Sequence, residues 1–367
     1  MDTSKMTVAK LQRMFEEGMP VTVLDVRPQE QRDEWKIAES VHMNIYHRLV
    51  EGRKDVLDHI SLSKEIPVVT VCAAGKTSQI AADILNEKGY NAYSLAGGMK
   101  AWNYAWNIAE ISTDKLTLIQ VRRVAKGCLS YIIGSKDEAI VVDASLEPDV
   151  YLAIASKYNW SIKFVMDTHT HADYISRTIE LAKASGAVHL FTDKADVGYT
   201  FTPFADEEEI AFGDVKLKCI HTPGHTPESA CYLVNDRYLL TGDTLFLEGV
   251  GRPDLKADKE QAIQKANHLF ASLQKIKSLG KEVIILPAHT SGAVAFDRQI
   301  IGGKLGELLP KIGLLSLDQS NFVEQTIQRI PATPPNYLQI AAINKAGNHD
   351  GIDPADLEMG ANRCAVS

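Results

Sequence analysis

Two histidines and an aspartate share one short stretch of the chain, Thr168-His-Thr-His-Ala-Asp173. An apolar run precedes this stretch and a helical apolar pattern follows it. The order predicts a buried strand, a loop and a helix, so that His169, His171 and Asp173 project together from the end of the strand. Imidazole and carboxylate groups gathered at a strand end indicate a metal site.

Three further segments bring the same kinds of side chain next to predicted strands. They are His221-Thr-Pro-Gly-His225, Thr241-Gly-Asp243 and Leu286-Pro-Ala-His289. Together with the first segment they supply imidazoles and carboxylates from four strand ends, without a cysteine in the set. Nitrogen and oxygen donors without a thiolate suit a borderline or harder transition metal. The sequence therefore predicts a metal centre in this part of the chain.

The order of these segments resembles the metallo-β-lactamase superfamily over about residues 115–330. In that superfamily an H-x-H-x-D-H motif, a G-H-T histidine, a bridging aspartate and a late histidine surround one or two metals. The resemblance implies an α+β fold, an αββα sandwich of two sheets between outer helices. Tyr174 stands where the last histidine of the motif is expected. A second metal would lose a ligand there, which disfavours a two-zinc hydrolase.

Another segment narrows the resemblance, Gly242-Asp-Thr-Leu-Phe-Leu-Glu-Gly-Val-Gly-Arg252-Pro-Asp254. It is similar to the persulfide dioxygenase branch, in which G-x-G-R-x-D follows the aspartate, and Asp243 comes 18 residues after His225. The resemblance implies one Fe(II) per chain, with zinc as the alternative, and with His169, His225 and Asp243 as the iron ligands. Two histidines and one carboxylate leave about three positions on iron for dioxygen and a persulfide sulfur.

The same resemblance places His171, Asp173 and His289 at second-metal positions. There they either orient the iron ligands through hydrogen bonds or hold a residual second metal. Arg252 is expected to bind a carboxylate of a glutathione-like thiol, because a guanidinium matches a carboxylate in bidentate geometry. The alternative for Arg252 is a structural ion pair with Asp254.

A second chemical motif lies near the N-terminus, where an apolar strand pattern ends at Cys72 and a loop leads into a predicted helix. The backbone N–H groups of such a loop and the helix dipole are expected to converge on the sulfur. The positive charge of Lys76 adds to this, and both effects favour a nucleophilic thiolate. The residues predicted to form the persulfide-binding loop are Ala73, Ala74, Gly75, Lys76, Thr77 and Ser78.

Leu24-Asp-Val-Arg27, the Cys72 loop and Gly97-Gly-Met-Lys-Ala-Trp102 follow one another in the chain. Over about residues 5–108 this set resembles the rhodanese family, an α/β fold in which the loop cysteine passes a sulfane sulfur to a thiophilic acceptor. The resemblance assigns that catalytic role to Cys72. The family loop often has arginine where this chain has Ala73 and Thr77, which disfavours thiosulfate as the donor.

The hydrophobic pattern changes near residue 113 from α/β alternation to half-buried strands. We therefore predict a rhodanese domain at residues 1–110, a metallo-β-lactamase-fold domain at residues 113–332 and a C-terminal extension at residues 333–367. The extension is rich in proline, asparagine, glycine and aspartate. We expect it to form a wrapped or partly disordered tail.

Composition limits the possible partners and compartment. Of the 367 residues 45% are hydrophobic, which suffices for two cores, and the net charge of −8 with scattered basic residues excludes a nucleic-acid surface. Five widely spaced cysteines without a C-x-x-C pair favour a reducing cytoplasm over a disulfide framework. No apolar run reaches the length of a membrane span, so we expect no membrane association.

The remaining cysteines have two interpretations. Cys219 and Cys231 lie in apolar strand patterns and are interpreted as core residues. Cys128 is interpreted as strand packing, with a sulfur-accepting role as the alternative. Cys364 lies in the tail, where a thiol can fold back and act as a persulfide acceptor.

The two resemblances predict a bifunctional enzyme. One site oxidises a small thiol persulfide with O2 to sulfite and thiol, and Cys72 moves sulfane sulfur among persulfide, sulfite and thiosulfate. Fusion keeps a reactive intermediate close to its consumer. One alternative is a zinc thioester hydrolase similar to hydroxyacylglutathione hydrolase, and another is a non-catalytic persulfide relay or sensor. The sequence leaves open the carrier thiol, the direction of transfer and the oligomeric state, a homodimer included.

Overall fold

A computed structural model of the protein describes residues 4–255, 257–334, 336–360 and 362–367. Its N-terminal part forms a five-stranded parallel sheet with the strand order β1-β5-β4-β2-β3. The strands are β1 (Lys5–Met6), β2 (Thr22–Asp25), β3 (Val41–His42), β4 (Val68–Val71) and β5 (Ala92–Leu95). The helices are α1 (Val8–Glu16), α2 (Gln29–Glu34), α3 (Tyr46–Val50), α4 (Thr77–Glu87) and α5 (Gly98–Trp102), with a 3-10 helix at Asp55–Leu57.

The central strand β4 consists of four buried residues, three valines and a threonine, as expected for a parallel strand covered on both faces. Helix α4 follows it and packs on β4 and β5. We predict Ile80, Ala81, Ile84 and Leu85 on the inner face of this helix from the sequence. The prediction for Ile80 is wrong, because its side chain is 40% exposed and Ala82 is buried instead. The buried face of α4 therefore keeps Ala81, Ile84 and Leu85 and includes Ala82 in place of Ile80.

Two mixed sheets form the second domain, one of seven strands in the order β12-β11-β10-β9-β8-β7-β6 and one of six in the order β13-β14-β15-β16-β18-β19. The strands from β6 to β12 are β6 (Trp106–Ser112), β7 (Thr117–Arg123), β8 (Leu129–Ser135), β9 (Glu138–Val142), β10 (Ser161–Met166), β11 (Val188–Thr192) and β12 (Thr202–Phe204). The strands from β13 to β19 are β13 (Glu209–Phe212), β14 (Val215–His221), β15 (Ala230–Val234), β16 (Tyr238–Gly242), β17 (Val250–Gly251), β18 (Ile284–Pro287) and β19 (Gly303–Lys304). The helices are α6 (Pro148–Lys157), α7 (Thr178–Ser185), α8 (Lys259–Lys277), α9 (Leu305–Leu308) and α10 (Gln319–Gln328), with a 3-10 helix at Gly313–Ser316.

The main core lies between the two sheets, and strand β8 shows how the sequence builds it. Tyr131 and Ile133 point into the core shared with the other sheet, whereas Ile132 between them packs in a separate cluster with Tyr151 of α6 and Leu181 of α7. This alternation is the period of a β-strand that is covered on both faces. The predicted fold class, an α/β rhodanese-like domain followed by an αββα sandwich, is confirmed.

Strand β6 lies at the junction of the two domains. It pairs with β7 along its whole length and forms the edge of the seven-stranded sheet. The predicted division between residues 110 and 113 therefore falls at the end of a strand that belongs to the second sheet. The N-terminal limit of the predicted first domain, residues 1–3, lies outside the described residues.

The C-terminal extension has more regular structure than we expect from its composition. It contains α11 (Tyr337–Ala346), α12 (Pro354–Leu357) and β20 (Ala365–Val366), and β20 pairs with β17 in antiparallel orientation. Of the two expected forms of the tail, wrapped or partly disordered, these segments show the wrapped one, and the tail contacts both domains. Residues 335 and 361 of the extension lie outside the described residues.

Aromatic stacking joins the two domains, since Phe15 stacks on Phe296 at a centroid distance of 5.0 Å and contacts Trp102 edge-on. Arg123, at the end of β7, donates from Nε to the carbonyl oxygen of Asn103. In the part of the chain that the structure describes, no helix is both long enough and apolar enough to cross a membrane.

Candidate metal centre and cysteine loop

The three predicted iron ligands come from strand ends of both sheets. His169 follows β10 in the seven-stranded sheet, and His225 and Asp243 follow β14 and β16 in the six-stranded sheet. Gly251 shows how tightly these loops approach one another. A Cβ atom at Gly251 would lie 3.1 Å from Cβ of His225 and would overlap the carbonyl oxygen of Asp243.

These three side chains converge on one point. His169 Nε2 lies 3.7 Å from Asp243 Oδ2, and His225 Nε2 lies 3.6 Å from the same oxygen. All three residues are buried, and within the described ranges none of these three atoms has a hydrogen-bond partner. A buried polar atom without a partner is costly. Two imidazoles and a carboxylate with unsatisfied atoms facing one another therefore fit a borderline or harder transition metal.

Each candidate ligand is held by a hydrogen bond at its other polar atom. His225 Nδ1 lies 2.8 Å from the carbonyl oxygen of Arg252, and His169 Nδ1 lies 3.0 Å from the Thr168 hydroxyl. Because a carbonyl oxygen only accepts, Nδ1 of His225 carries the proton and Nε2 presents its lone pair. Asp243 Oδ1 lies 2.5 Å from His289 Nδ1. Such contacts fix ligand orientation.

Burial controls the charge of these groups. Burial, together with the nearby His171, holds the pKa of His169 well below its usual value, and burial also lowers the pKa of His225. Burial alone would raise the pKa of Asp243, but the neighbouring His289 and His169 lower it overall. Two neutral imidazoles and an ionised carboxylate are the protonation states that bind a metal.

The predicted second-metal residues are engaged with protein groups. His289 lies between two carboxylates, with Nε2 2.8 Å from Asp173 Oδ2 and Nδ1 against Asp243. Although burial opposes it, these carboxylates raise the pKa of His289 well above its usual value. Asn362 in the tail also donates from Nδ2 to Asp173 Oδ2 at 2.8 Å. These carboxylates favour the charged form of His289, and its hydrogen bond orients Asp243.

His171 is held in a separate network. Its Nε2 lies 3.0 Å from Asp143 Oδ1 and 2.8 Å from the hydroxyl of Tyr174, whose ring stacks on the imidazole. Burial opposes protonation, but Asp143 raises the pKa of His171 to about 10. Among the described residues His171 Nδ1, Asp173 Oδ1 and His289 Nε2 lack a hydrogen-bond partner, so this position keeps three possible ligand atoms.

Arg252 is not placed to bind substrate, and that prediction is corrected. Its side chain is fully buried, and its Nε and Nη2 donate to the two carboxylate oxygens of Asp254 at 2.7 and 2.8 Å. The guanidinium also donates to the carbonyl oxygens of Pro331 and Arg363 and to the hydroxyl of Thr333. The structural ion pair with Asp254 is the correct alternative, and the same group fastens the C-terminal extension.

Cys72 lies in the other predicted site, at the end of β4. Its Sγ accepts hydrogen bonds from the backbone N–H of Gly75 and from the hydroxyl of Ser78, each at 3.2 Å. Ser94 contacts the Ser78 hydroxyl at 2.9 Å and was not anticipated from the sequence. Two donors on a sulfur stabilise a thiolate or a persulfide anion there.

The rest of the predicted loop surrounds this sulfur in different ways. Ala73, Ala74 and Lys76 are exposed, whereas Thr77 is buried in the first turn of α4. Gly75 has a φ of +83°, which lets its N–H point inward. Cys72 is therefore buried below an exposed rim.

Two partners of the metal centre were missed in the sequence. Asp143 follows β9 with a φ of +58° and accepts from the backbone N–H and hydroxyl of Thr168. Its only sequence signal is a carboxylate directly after an apolar strand. Asn362 gave no signal at all, because its contact with Asp173 spans 189 residues.

Two family models match the chain. The model for the rhodanese-like domain matches residues 7–105, and the model for the metallo-beta-lactamase superfamily matches residues 123–289. A probable polyketide biosynthesis zinc-dependent hydrolase of Bacillus subtilis (strain 168) is 32% identical over 161 residues, which are 42% of this chain and 68% of that protein. The chain belongs to the metallo-beta-lactamase superfamily. It carries a rhodanese-like domain at the N-terminal side of the superfamily domain.

Other members of the superfamily resemble this chain to a similar extent. The mitochondrial persulfide dioxygenase ETHE1 of Mus musculus is 27% identical over 45% of this chain and 65% of its own length. Several proteins named hydroxyacylglutathione hydrolase are 29–35% identical, and the matches cover 51–61% of their lengths. A metallo-beta-lactamase crystal structure from Staphylococcus aureus subsp. aureus COL has a TM-score of 0.59 at 27% identity, covering 64% of this chain and 74% of that chain. These relatives include both dioxygenases and hydrolases.

Proposed function

We propose that the protein is an iron-dependent persulfide dioxygenase with a sulfurtransferase domain. It oxidises the sulfane sulfur of a glutathione-like persulfide with O2 to sulfite and releases the thiol. The observation that carries this proposal is that one unpartnered ligand atom each of His169, His225 and Asp243 face one another. At the neighbouring second-metal position, Tyr174 contacts His171 and Asn362 donates to Asp173. Two histidines and one carboxylate with open metal positions are typical of Fe(II) oxygenases, and iron held by these residues would supply dioxygen activation.

In this mechanism the protein supplies binding and orientation. His169, His225 and Asp243 would hold the iron, and bound Fe(II) would supply the electrons that activate dioxygen. His289 keeps Asp243 Oδ1 in a hydrogen bond, so that Oδ2 stays directed at the metal position. The burial of all these groups keeps bulk water from the reacting sulfur.

A cavity of about 470 Å³ beside the metal loops suits the carrier thiol. Ala172 of the metal loop, Gly224 beside His225, and Leu255 and Tyr337 line it. Lysine and histidine side chains also line the wall, which suits a carrier with carboxylate groups; they are Lys194, Lys265, His268 and Lys345. Lys194 and Lys345 are each paired with an aspartate, so carboxylate binding there would exchange one partner for another.

Cys72 would carry the sulfane sulfur in the first domain. The Gly75 N–H and the Ser78 hydroxyl are placed to stabilise its negative charge. Transfer among persulfide, sulfite and thiosulfate needs no change at the iron. The two sites are therefore expected to be separable by mutation, and Cys72→Ser should abolish sulfur transfer without lowering oxygen uptake.

The test is oxygen consumption by iron-loaded protein supplied with glutathione persulfide. We expect rapid uptake with one sulfite formed for each O2 consumed, and no uptake by Asp243→Ala at equal protein concentration. Cys72→Ser is the matched control that keeps the iron centre. Lack of uptake by the iron-loaded wild-type protein would contradict the proposal.

The second candidate function is hydrolysis of a thioester by a zinc-loaded centre. It is favoured by the 32% identity to a probable zinc-dependent hydrolase, compared with 27% to the persulfide dioxygenase. Cleavage of a glutathione thioester by zinc-loaded protein, without oxygen uptake by iron-loaded protein, would decide for the hydrolase.

A further inference from the structure

The C-terminal extension brings a thiol to the metal centre. Cys364 Sγ lies within 4.8 Å of one ligand atom each of Asp243 and His289. Its residue is 1% exposed and packs in a small apolar cluster with Ala172 of the metal loop and Tyr337 of α11. A buried thiol therefore lies beside a candidate iron ligand.

Several contacts hold this thiol in place. The backbone N–H of Arg252 donates to the carbonyl oxygen of Cys364 at 3.0 Å, and β20 pairs with β17 directly after it. Asn362 accepts from the N–H of Cys364 and donates to Asp173, so one side chain ties the tail to the metal loop. The buried guanidinium of Arg252 adds a contact to the carbonyl oxygen of Arg363. The tail is therefore a fixed component of the site.

The thiol also adjoins the substrate cavity. Ala172, Leu255 and Tyr337 line the 470 Å³ cavity, and together with Phe246 they form the buried cluster around Cys364. Arg363 and Ala365, on either side of Cys364, line a different cavity of about 390 Å³. Cys364 therefore packs against three residues of the wall of the 470 Å³ cavity, and its Sγ lies within 4.8 Å of a ligand atom of Asp243.

The other buried thiols of the second domain occupy different surroundings from Cys364. Cys219 and Cys231 lie on adjacent strands, β14 and β15, and belong to the hydrophobic clusters on the two faces of their sheet. Cys128 lies near Asp173, with Sγ 3.5 Å from Oδ2, and on the opposite side of His289 from Asp243. Among the residues that the structure describes, Cys364 is thus the cysteine that can share a metal-binding group with Asp243, with their ligand atoms within 4.8 Å of each other.

We propose that Cys364 accepts the sulfane sulfur from the incoming persulfide, so that the species presented for oxidation is a persulfide of the protein. This inference rests on the proposed function. The Cys364 sulfur bonds to the outer sulfur of the carrier persulfide while the S–S bond of the carrier breaks. The thiol proton ends on the carrier sulfur, which leaves as a free thiol, and no external oxidant or reductant is consumed. The new S–S bond of about 2 Å extends the reach of the protein sulfur, which starts within 4.8 Å of the Asp243 carboxylate.

The consequence is that the carrier thiol can leave before oxidation. Its identity then matters for entry into the cavity and for the transfer step, but the oxidised group is the same for every carrier. A glutathione persulfide and a smaller persulfide should accordingly load the same cysteine.

The experiment uses full-length Cys72→Ser protein, which removes the rhodanese-like acceptor. The protein is mixed with glutathione persulfide without oxygen, alkylated in denaturant and analysed by peptide mass spectrometry. We expect the Cys364 peptide to gain the mass of one sulfur atom and the Cys219 and Cys231 peptides to gain none. Adding Cys128→Ser should keep the label on Cys364, and adding Cys364→Ser should remove it. On admission of oxygen to iron-loaded protein, the label should disappear as sulfite forms.

An unlabelled Cys364 in protein that still consumes oxygen with persulfide would overturn this inference and leave the proposed function standing. Equal labelling of Cys219 or Cys231 would also overturn it, because transfer would then be non-specific. Absence of oxygen uptake by the iron-loaded wild-type protein is a different result, since it removes the proposed function itself. Iron-loaded Cys364→Ser is expected to lose most of its oxygen uptake while it binds iron as the wild type does.

Discussion

His289 joins two carboxylates of the candidate metal centre. It is buried between Asp173 and Asp243, whose charges raise its pKa, and its hydrogen bond fixes the carboxylate that faces the metal position. The late histidine of the superfamily motif thus makes a hydrogen bond to Asp243 and lies at ion-pair distance from Asp173 in this chain. Sequence patterns alone left its role open between a metal ligand and a hydrogen-bonding residue.

His289→Ala should weaken metal binding without abolishing it. We expect a loss of about 10- to 100-fold in metal affinity, which is typical for removal of a group that orients a ligand. The measurement is an anaerobic metal titration of the apoprotein. His59→Ala, at an exposed position of the first domain, is the control and should bind as the wild type does. Unchanged affinity in His289→Ala would show that Asp243 needs no such support.

Arg252 acts on the tail, so Arg252→Lys should loosen the tail while leaving the metal ligands intact. Lysine keeps the charge but lacks the planar fork that reaches Asp254 and the tail carbonyls together. We expect the free energy of unfolding to fall by about 1–3 kcal/mol. Hydrogen exchange at residues 362–367 should become faster. Exchange as slow as in the wild type would contradict the role assigned to Arg252.

At the scale of elements, strand ends and tight loops position both sites. The Cys72 loop packs directly on the start of α5, where Gly98 has a φ of +57°. A Cβ atom there would overlap the carbonyl oxygen of Cys72 and lie 2.7 Å from the backbone nitrogen of Gly75. Glycine is therefore required to let the helix approach the loop.

Gly98→Ala should abolish sulfur transfer by displacing the Cys72 loop. Gly52→Ala is the matched control, because Gly52 also has a positive φ, +79°, but faces open space. Both variants carry the conformational cost of about 1–2 kcal/mol for a left-handed residue, whereas only Gly98→Ala disturbs the site. The measurement is the rate of sulfur transfer from a persulfide to sulfite. Equal rates in the two variants would contradict this account of the loop.

Elements whose sequences carry a local signal could be predicted well. Strand β9, for example, occupies the residues 138–142 that its apolar run indicates. Helix α11 could not, because Tyr337, Ile340 and Asn344 are its buried residues and one of them is polar. Asn344 donates to the carbonyl oxygens of His171 and Tyr174, contacts that exist only after the tail has packed. Long-range contacts, which single-sequence patterns do not encode, order the tail.

At the scale of the whole molecule, Glu358 joins three parts of the chain. Its carboxylate pairs with Arg123 at 2.8 Å and accepts from the backbone N–H of Ile175 at 2.9 Å. Arg123 in turn contacts the first domain through Asn103, and Ile175 follows the metal loop. Glu358 and Arg123 are both almost completely buried. The tail, the metal loop and the domain boundary are therefore coupled.

Glu358→Ala should be strongly destabilising, because it leaves the buried guanidinium of Arg123 without its carboxylate. We expect the free energy of unfolding to fall by about 3–5 kcal/mol. Equilibrium denaturation by urea provides the measurement. Glu282→Ala is the control, since its ion pair with Lys304 is exposed and should contribute little. Equal stability of the two variants would show that the buried pair does not hold the parts together.

The two fold classes were predictable from the sequence, because each motif lies beside a strand whose apolar run is local. His169, His225 and Asp243, which the family resemblance implies as ligands, lie together in the structure. What joins the parts was not accessible. Arg252 illustrates this, since its bidentate chemistry suggested a substrate, whereas the folded chain brings Asp254, Pro331 and Arg363 around it. Residue chemistry predicts what a group can bind, and the fold decides which partner reaches it.

The most direct test of the central claim is the number of metal ions bound per chain. Apoprotein would be titrated anaerobically with Fe(II), freed of unbound metal and measured by elemental analysis. We expect about one iron per chain, held by His169, His225 and Asp243. Two ions per chain, with iron or with zinc, would mean that His171 and Asp173 bind a second metal, and would contradict a single-metal centre.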